Sequence, residues 1–544
     1  MTGSLKRLTL ILIVLLAGFL RFYNISEVPP ALNWDEAALG YNAYSLGIDG
    51  KDEYGNFLPV QYLESFGDFK PVAYSYLATV PVKVFGLNEF GVRFPSAFFG
   101  ILTVALTYFL VKEIFPKKDK KTEHIALFST FLMAISPWHL MLSRGAYEAN
   151  VSSFFIILGV FLFLKAINKN IWYLFPSAIS FALTFYTFNT ARVFVPLLII
   201  VFAVVFRKTL IKNLKKVFLS ALLGLALLLP ILPFLLSPQA KLRYHEVNIF
   251  SDITVIERSN QYVANDNNTF WSRIIHNRRV LYSLEFTEHY LDNFNPRFLF
   301  ISGDGNPRFS TQDVGQLYLI SLPFLIAGAF LLLRKKEGHF WIIPVWLLLG
   351  IIPAATARET PHALRIETVL PTLQIVTAYG LINLMALINN KTYKKIIAGT
   401  ILAIYLLFTL YFYHGLLFHY SREYSNEWQY GYVELVNYIE KNKDEFKQIE
   451  ITEKLGRPYI YFLLYGKYEP QTFRKTSVIE REIFGFVKVR RLGNYIFSED
   501  INEENLQEKI LYVDTPENIP KGVRPVKVFH YLDGKPALVA YEKN

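Results

Sequence analysis

Residues 33–76 read NWDEAALGYNAYSLGIDGKDEYGNFLPVQYLESFGDFKPVAYSY and lie between two strongly apolar runs of the chain. The stretch opens on two adjacent carboxylates, Asp35 and Glu36, and closes on Asp68 and Lys70, which is followed by Pro71. The apolar run 8–22 comes before it and a longer one comes after it, so we predict that residues 24–90 form a loop outside the membrane. The acids and the lysine then lie where this loop meets the bilayer surface.

The composition predicts a polytopic membrane protein. The chain has 544 residues, of which 52% are hydrophobic and 16% aromatic, and its mean hydropathy is positive. Its apolar residues come in runs of about 15–25, the length that crosses a bilayer. The net charge of +11 does not indicate nucleic acid, because much of the lysine and arginine lies in short clusters between apolar runs. The absence of cysteine excludes disulfides and thiol catalysis.

The order of the apolar runs predicts both topology and orientation. Alternate short connections carry clusters of lysine and arginine, at 117–121, 165–169, 207–216, 334–336 and 391–395, while the other short connections carry isolated arginines. Positive charge stays on the cytoplasmic side, so the N-terminus is predicted inside and the C-terminus outside the cytoplasmic membrane. We predict about eleven transmembrane helices, at 5–23, 91–115, 123–142, 150–167, 171–188, 193–207, 216–236, 316–334, 339–355, 363–389 and 394–418.

Two domains follow from this pattern. Residues 1–420 are predicted to form a transmembrane domain with a first outer loop at 24–90 and a large outer loop at 237–315. The first apolar run is expected to be retained rather than cleaved as a signal peptide, because no small-residue cleavage pattern follows it. Within the first loop, Val72–Phe85 is too short to span and is predicted to be an interfacial helix.

The tail, residues 421–544, is charged and has no spanning run, and it is predicted to be a small α/β domain outside the membrane. Helical spacing covers Trp428–Asn442. Short runs rich in β-branched and aromatic residues predict strands. These runs are Gln448–Thr452, Ile460–Leu464, Val487–Val489, Ile510–Val513 and Ala537–Tyr541.

The acids of the first loop are the strongest catalytic candidates. Asp35 and Glu36 can both face one cavity if they lie at a helix start, one as a general base for an incoming hydroxyl and the other holding the acceptor or a cation. The alternative is structural, because acids are favoured in the first turn of a helix. Lys70 could bind a lipid phosphate as a point charge, or be an interfacial lysine whose stem lies along apolar surface.

Two later segments add candidates at the same face. Residues 136–150, SPWHLMLSRGAYEAN, carry Arg144, Tyr147 and Glu148, with a helix-terminal ion pair between Arg144 and Glu148 as the alternative. Residues 359–371, ETPHALRIETVLP, carry His362 and Arg365.

An arginine just inside a span needs a partner. Its guanidinium suits a phosphate, although a buried pair with Glu367 or another loop would also satisfy Arg365. Arg93, at the start of the second span, is a similar but weaker candidate for binding a phosphate.

The sequence favours neither a metal site nor direct use of a nucleotide. The ten histidines form no H-x-x-x-H pair or similar pair that supports a metal site, and no Gly-rich phosphate loop is present. The acids could hold a hard divalent cation such as Mg²⁺ or Mn²⁺, and this alternative stays open.

The order of motifs resembles the GT-C-fold glycosyltransferases that use polyprenyl-phosphate sugars, in particular the protein O-mannosyltransferase-like enzymes and the lipid A aminoarabinose transferases. The resemblance rests on Trp34-Asp35-Glu36-Ala37, Lys70-Pro71-Val72-Ala73-Tyr74, Gly91-Val92-Arg93-Phe94-Pro95-Ser96-Ala97 and His362-Ala363-Leu364-Arg365, and its layout covers about residues 1–420. It implies a GT-C-like fold and an inverting transferase whose active site lies on the extracytoplasmic face. It also implies two partners, a polyprenyl-phosphate-linked sugar and a hydroxyl-bearing acceptor such as a protein, a lipid or a polysaccharide.

The resemblance also implies roles for individual residues. Asp35, with Glu36 beside it, matches the catalytic base of the first loop, and Glu148 matches an acid that completes the site. Lys70 and Arg365, and with them Arg93, would bind the lipid phosphate. Residues near these positions are expected to contact substrate, namely Asp68, Arg144, Tyr147 and His362.

A transporter or flippase of lipid-linked glycans is the competing interpretation. It would account for the spans and for the basic groups at the outer face. Transporters usually carry ionisable or helix-breaking residues near the middle of the membrane, however, and the segments Val217–Leu236 and Ile396–Leu410 are almost wholly apolar. The pattern therefore favours a transferase.

Overall fold

The computed structural model describes residues 3–117, 119–240, 247–481, 487–501, 507 and 509–542. Parts of the predicted large outer loop, at 241–246, and of the predicted tail domain, at 482–486, 502–506, 508, 543 and 544, lie outside the described residues. The chain forms two compact units. The first contains the residues up to Leu20, Phe99–Leu142 and Glu148–Phe412, and the second contains Arg21–Phe98, Ser143–Tyr147 and the chain from Tyr413 onward. The division predicted at residue 420 stays a prediction.

The regular elements of the first unit, among its described residues, are helices. Three helices, Gly3–Phe22, Glu89–Ile114 and Pro137–Arg144, cross the boundary between the units, and Lys391–Gly415 does so near its end. The other α-helices whose bounds the structure describes in this unit are Lys120–Ile135, Glu148–Asn168, Leu174–Phe185, Ala191–Val205, Arg207–Ile211, Leu214–Leu228, Leu232–Leu235, Ile253–Asn265, Phe270–Ile275, Arg278–Asp292, Pro296–Phe300, Ser321–Lys335, Ile342–Ala355 and Thr372–Ala386.

Among the described residues, four helices are long and apolar enough to cross a membrane, or five if one bent pair counts as a single span. The four are Glu89–Ile114, Leu214–Leu235, Glu148–Asn168 and Lys391–Glu423. The bent pair is Lys120–Ile135 with Pro137–Arg144, at 52°. Each predicted span coincides with one of the helices or with this pair, but several of these helices are shorter than a bilayer requires. The number of eleven and the orientation therefore stay predictions.

Glycine allows two helices of the first unit to pack backbone against backbone. A Cβ atom on Gly380 would lie 2.0 Å from the carbonyl oxygen of Phe324, and one on Gly328 would lie 2.0 Å from that of Val376. Small residues permit this close approach between apolar helices, where van der Waals packing replaces the hydrophobic effect as the source of attraction.

We expect Gly380→Ala to destabilise the protein by about 1–3 kcal/mol, because the new methyl group forces the two backbones apart. Thermal unfolding in detergent measures the effect. Gly399→Ala is the matched control, since a Cβ at Gly399 meets nothing within 4 Å, and it should leave the melting temperature unchanged or slightly raised. Equal melting temperatures for the two variants would contradict this account of the packing.

The second unit combines the first loop with the tail. Its helices are Trp34–Asp49, Ala73–Phe85, Ser421–Glu423, Gly431–Asn442, Pro458–Tyr465 and Pro470–Thr476. Its strands are β1 (Leu63–Ser65), β2 (Asp68–Lys70), β3 (Gln448–Thr452), β4 (Ser477–Arg481), β5 (Val487–Leu492), β6 (Tyr495–Ser498), β7 (Ile510–Asp514), β8 (Arg524–His530) and β9 (Pro536–Glu542).

Strands β1 and β2 form an antiparallel hairpin, and the other seven strands form one mixed sheet. The order in this sheet is β4-β5-β6-β3-β7-β9-β8, in which β3 is parallel to both of its neighbours and the remaining pairs are antiparallel. The predicted helix in the tail and four of its five predicted strands are present. The strand predicted at Ile460–Leu464 was wrong: these residues are helical, with Pro458 at the first helical position, which proline favours.

The helix Trp34–Asp49 lies at the centre of the second unit. It starts at a capping box. The Asn33 side chain accepts from the Asp35 and Glu36 N–H groups, and the Glu36 carboxylate accepts from the Asn33 N–H. It ends at Gly50, whose φ of 71° is left-handed. The predicted helix at 72–85 is present as Ala73–Phe85 and is tied to this central helix by the bond from Ser75 Oγ to the Leu39 carbonyl, at 3.0 Å.

Candidate active site

Asp35 and Lys70 meet in the second unit. Asp35 lies in the first turn of its helix with a side chain that is 53% exposed, and the Lys70 ammonium contacts its carboxylate. Lys70 ends β2, opposite Leu63 of β1, and its side chain is only 8% exposed. The pair therefore joins a carboxylate that substrate can reach with an ammonium that is nearly buried.

The hairpin between β1 and β2 fixes the position of Lys70. Two residues form its turn, Phe66 and Gly67, with φ of 61° and 84°. Positive φ at both central residues is the condition for a type I′ turn, whose twist matches that of the strands it joins. The Phe66 ring centre then lies 5.5 Å from Lys70 Nζ, within cation–π distance.

Glu36 is buried beside Asp35 and has a different set of partners. Its Oε1 accepts from Arg93 Nε at 3.0 Å and from the Ala146 N–H at 2.7 Å. Its Oε2 accepts from Arg93 Nη2 at 3.2 Å and from the Asn33 N–H at 3.1 Å. Glu36 therefore fits the alternative role of an acid that stabilises the first turn of a helix. Its four contacts favour a positioning role.

Arg93 completes a buried network around the start of the central helix. Beyond its bonds to Glu36, it donates from Nη1 to the carbonyls of Ile25 and Pro29, at 3.0 and 2.8 Å, and from Nη2 to that of Ala31. Its side chain is fully buried. Arg93 holds the chain between the first helix and Asp35, so the contacts favour a positioning role for this residue too.

Arg144 and Tyr147 come from the second outer connection. Arg144 donates to the carbonyls of Tyr23 and Val28, at 2.9 and 2.8 Å, and is buried. Tyr147 packs against Gly145, and its N–H donates to the Gly145 carbonyl at 2.9 Å. Asp68 begins β2 and accepts from the Phe69 N–H at 2.9 Å. Substrate contact by these three residues stays a prediction.

Glu53 is a residue that the sequence analysis missed. It is fully buried, and neither of its carboxyl oxygens has a hydrogen-bond partner among the described residues. The nearby Asn42 amide donates to the Ala38 carbonyl at 3.0 Å, and its oxygen accepts from the Glu53 N–H at 3.0 Å. Burial and the Asp52 carboxylate raise the pKa of Glu53 well above its ordinary value, which the Lys70 ammonium offsets only in part. Glu53 could not be found from the sequence, because it belongs to no motif and its burial depends on the folded structure.

We expect Glu53→Gln to raise the melting temperature, and to do so more as pH increases. A carboxyl with a raised pKa keeps its proton in the folded state, while the unfolded chain releases it above about pH 4.5. The resulting loss of stability grows with pH toward the folded pKa, by about 1.4 kcal/mol per pH unit. Thermal unfolding between pH 4 and pH 8 measures it. The exposed control Glu257→Gln should show no such trend, and a parallel pair of curves for Glu53→Gln and wild type would contradict the prediction.

The remaining candidates belong to the first unit. Arg365 Nη2 lies 3.7 Å from the Glu359 carboxylate, and its Nη1 donates to the Glu359 carbonyl at 3.1 Å. Glu367, the partner considered from the sequence, is fully buried, and its carboxyl oxygens have no hydrogen-bond partner among the described residues. Glu148 begins the helix Glu148–Asn168, and its charge interacts with Arg192.

His362 lies beside an acid that the sequence did not single out. Its Nδ1 is 3.9 Å from Asp304 Oδ2, which accepts from the Ala363 N–H at 2.6 Å. Burial, together with Arg365 and Arg308, lowers the pKa of His362 to about 3, and burial raises that of Asp304 to about 6. A neutral imidazole at neutral pH can exchange hydrogen bonds with a substrate but adds no charge to the site.

Among the described residues, no group of three or more His, Asp or Glu side chains lies close enough together to hold a metal ion. The divalent cation raised as an alternative stays untested.

Comparison with known proteins relates the chain to glycosyltransferases. Residues 69–234 match the family model described as dolichyl-phosphate-mannose-protein mannosyltransferase. An uncharacterised protein of Aquifex aeolicus (strain VF5) is 28% identical over 179 residues, 31% of this chain and 32% of that protein. YkcB of Bacillus subtilis (strain 168), named as a candidate mannosyltransferase, is 28% identical over 173 residues, 31% of this chain and 22% of that protein. The chain thus matches a third or less of each relative's length.

The fold is shared over a much longer part of the chain. The crystal structure of ArnT from Cupriavidus metallidurans in the apo state has a TM-score of 0.55 at 12% identity, over 99% of this chain and 98% of that one. ArnT of the same organism bound to undecaprenyl phosphate has a TM-score of 0.53 at 11% identity, with the same coverage. The resemblance predicted from the sequence is therefore confirmed at the level of the fold: the chain shares the fold of ArnT, and residues 69–234 are similar in sequence to the mannosyltransferase family model.

Proposed function

We propose that the protein is a membrane glycosyltransferase that moves a sugar from a polyprenyl-phosphate donor to a hydroxyl acceptor on the extracytoplasmic face of the cytoplasmic membrane. The observation that carries the proposal is the pair of Asp35 and Lys70, an accessible carboxylate beside a nearly buried ammonium. The family model at residues 69–234 and the ArnT fold, one example of which was solved with undecaprenyl phosphate, support the choice of donor.

The proposed reaction is a single displacement that inverts the anomeric carbon. The acceptor oxygen attacks C1 of the sugar while its proton passes to the Asp35 carboxylate. The bond from C1 to the phosphate oxygen breaks, and the electron pair leaves with the polyprenyl phosphate. A general base typically contributes about 10²–10⁴ in rate. A cation at the leaving phosphate contributes about 10²–10³ where it acts in the transition state.

Lys70 has two roles in this reaction. Before reaction its ammonium contacts the Asp35 carboxylate. As Asp35 takes up the proton, its attraction for Lys70 falls, while the leaving phosphate gains negative charge. The ammonium can therefore transfer its interaction from carboxylate to phosphate during the displacement. Arg365 and Glu148 keep the proposed roles of phosphate contact and second acid, and Glu36 and Arg93 are assigned to positioning.

A transfer assay tests the proposal. The purified protein in lipid nanodiscs is given undecaprenyl-phosphate mannose, glucose or aminoarabinose, together with a serine-containing peptide or a glycolipid as acceptor. Release of undecaprenyl phosphate is measured, with Asp35→Asn as the inactive reference. Release that depends on Asp35 supports the transferase. Tight binding of the donors without any release would overturn it in favour of a transporter or flippase.

A further inference from the structure

The tail brings an arginine to the same aromatic ring that Lys70 contacts. The Arg457 guanidinium carbon lies 4.3 Å from the Phe66 ring centre, and Arg457 Nη1 donates to the Phe66 carbonyl at 3.1 Å. Lys70 Nζ lies 5.5 Å from the same ring centre. One side chain of the first loop therefore orients two cations, one from the loop and one from the tail.

Glycine brings this part of the tail close to Asp35. Gly456 has a φ of 117°, and a Cβ there would lie 3.0 Å from the ring of Trp34, the residue next to Asp35. A larger residue would therefore clash as well as strain the backbone. The helix that follows, Pro458–Tyr465, carries Tyr461, whose pKa is raised by burial, by Tyr465 and Tyr432, and by the Asp35 and Glu36 carboxylates.

Arg457 differs from other tail arginines that reach the first loop. Arg474 pairs with Asp49, and Arg481 pairs through both of its terminal nitrogens with Glu64. No carboxylate lies within 4.0 Å of the Arg457 guanidinium among the residues that the structure describes. A guanidinium has five N–H donors, so most of those on Arg457 are available to a further acceptor.

We infer that Arg457 binds the phosphate group of the polyprenyl substrate together with Lys70, an inference that rests on the proposed function. A partly buried guanidinium without a carboxylate partner suits a phosphate, whose oxygens accept two parallel N–H bonds from the planar fork. Stacking on Phe66 fixes the plane of the fork, which lowers the entropy lost on binding. The tail is thus part of the substrate site.

Binding of undecaprenyl phosphate to the full-length protein in nanodiscs tests the inference, with undecaprenol as the uncharged probe. Arg457→Gln should weaken undecaprenyl phosphate binding by roughly 10–100-fold, the effect of losing hydrogen bonds to a charged group, and leave undecaprenol binding unchanged. Arg457→Lys keeps the charge but loses the fork, and should weaken binding by a few-fold. Arg491→Gln is the matched control, because Arg491 is an exposed arginine of strand β5 in the same tail that donates to the Gly493 carbonyl, and it should bind as wild type does.

The outcomes separate this inference from the proposed function. Wild-type protein that binds neither probe would overturn the proposed function and the inference with it. Wild-type binding with unchanged affinity in Arg457→Gln would overturn the inference alone, and so would unchanged affinity in Arg457→Lys if the glutamine variant does not fold. Loss of both probes to the same extent would indicate a structural role for Arg457 and would also overturn the inference.

Discussion

Asp35→Asn is expected to lower the rate of sugar transfer by about 10²–10⁴-fold, the contribution of a general base, and to leave the fold intact. The amide cannot take the proton of the acceptor hydroxyl, so the attacking oxygen loses its activation. Stability should fall by about 1–2 kcal/mol at most, because the Asp35 side chain is half exposed and the asparagine oxygen can still accept from the nearly buried Lys70 ammonium. Initial rates of undecaprenyl phosphate release and thermal unfolding are measured on the same preparation.

Asp500→Asn is the matched control for this change. Asp500 is also a carboxylate paired with a lysine, at 3.1 Å from Lys454, and its side chain is 86% exposed. The control should keep both the rate and the melting temperature of wild type. An Asp35→Asn protein that transfers sugar at a near wild-type rate would remove Asp35 from the proposed mechanism.

The outline of the site could be predicted from the sequence, because its motifs are local. Adjacent acids after an apolar run and a lysine before a proline mark the two ends of one loop, and the structure brings Asp35 and Lys70 together. The helix at Ala73–Phe85 and most of the tail strands could be predicted from periodicity for the same reason. Strands β4, β6 and β8 were missed. Most residues of β4 and β8 are exposed and lack a clear alternation, and β6 has only four residues.

What could not be predicted depends on burial and on contacts between distant residues. Asp35 and Glu36 are neighbours with similar chemistry, and only the fold exposes one and encloses the other. Glu53 has an unusual pKa because of its surroundings, which no spacing reveals. Arg457 follows a glycine and precedes a proline in an ordinary turn of the tail, and nothing local connects it with Lys70. The run 460–464 is apolar and aromatic, so periodicity could not separate a buried helix from a buried strand.

The second large effect is expected at the other acid of the same motif. Glu36→Gln should destabilise the protein by about 3–5 kcal/mol, because it leaves the fully buried Arg93 guanidinium without its carboxylate. The glutamine NH₂ group would also face N–H donors that now point at a carboxylate oxygen. Arg93→Met should have a similar cost, since it leaves Glu36 as an unpaired buried charge. Thermal and denaturant unfolding in detergent measure both.

A double variant separates the pair from its surroundings. Glu36→Leu with Arg93→Met replaces both charges by apolar groups, and should cost clearly less than the sum of the single changes, because no charge is left unpaired. The exposed pair of Glu480 and Arg490 is the control, and Glu480→Gln there should cost about 1 kcal/mol or less.

The two acids are then distinguished by opposite results. Asp35→Asn should give a stable protein that does not transfer sugar, while Glu36→Gln should give an unstable protein whose folded fraction still does. A Glu36→Gln protein that melts like wild type but is inactive would contradict the positioning role. It would favour instead the catalytic role that the sequence motif predicts for Glu36, and both carboxylates would then act directly on the substrate.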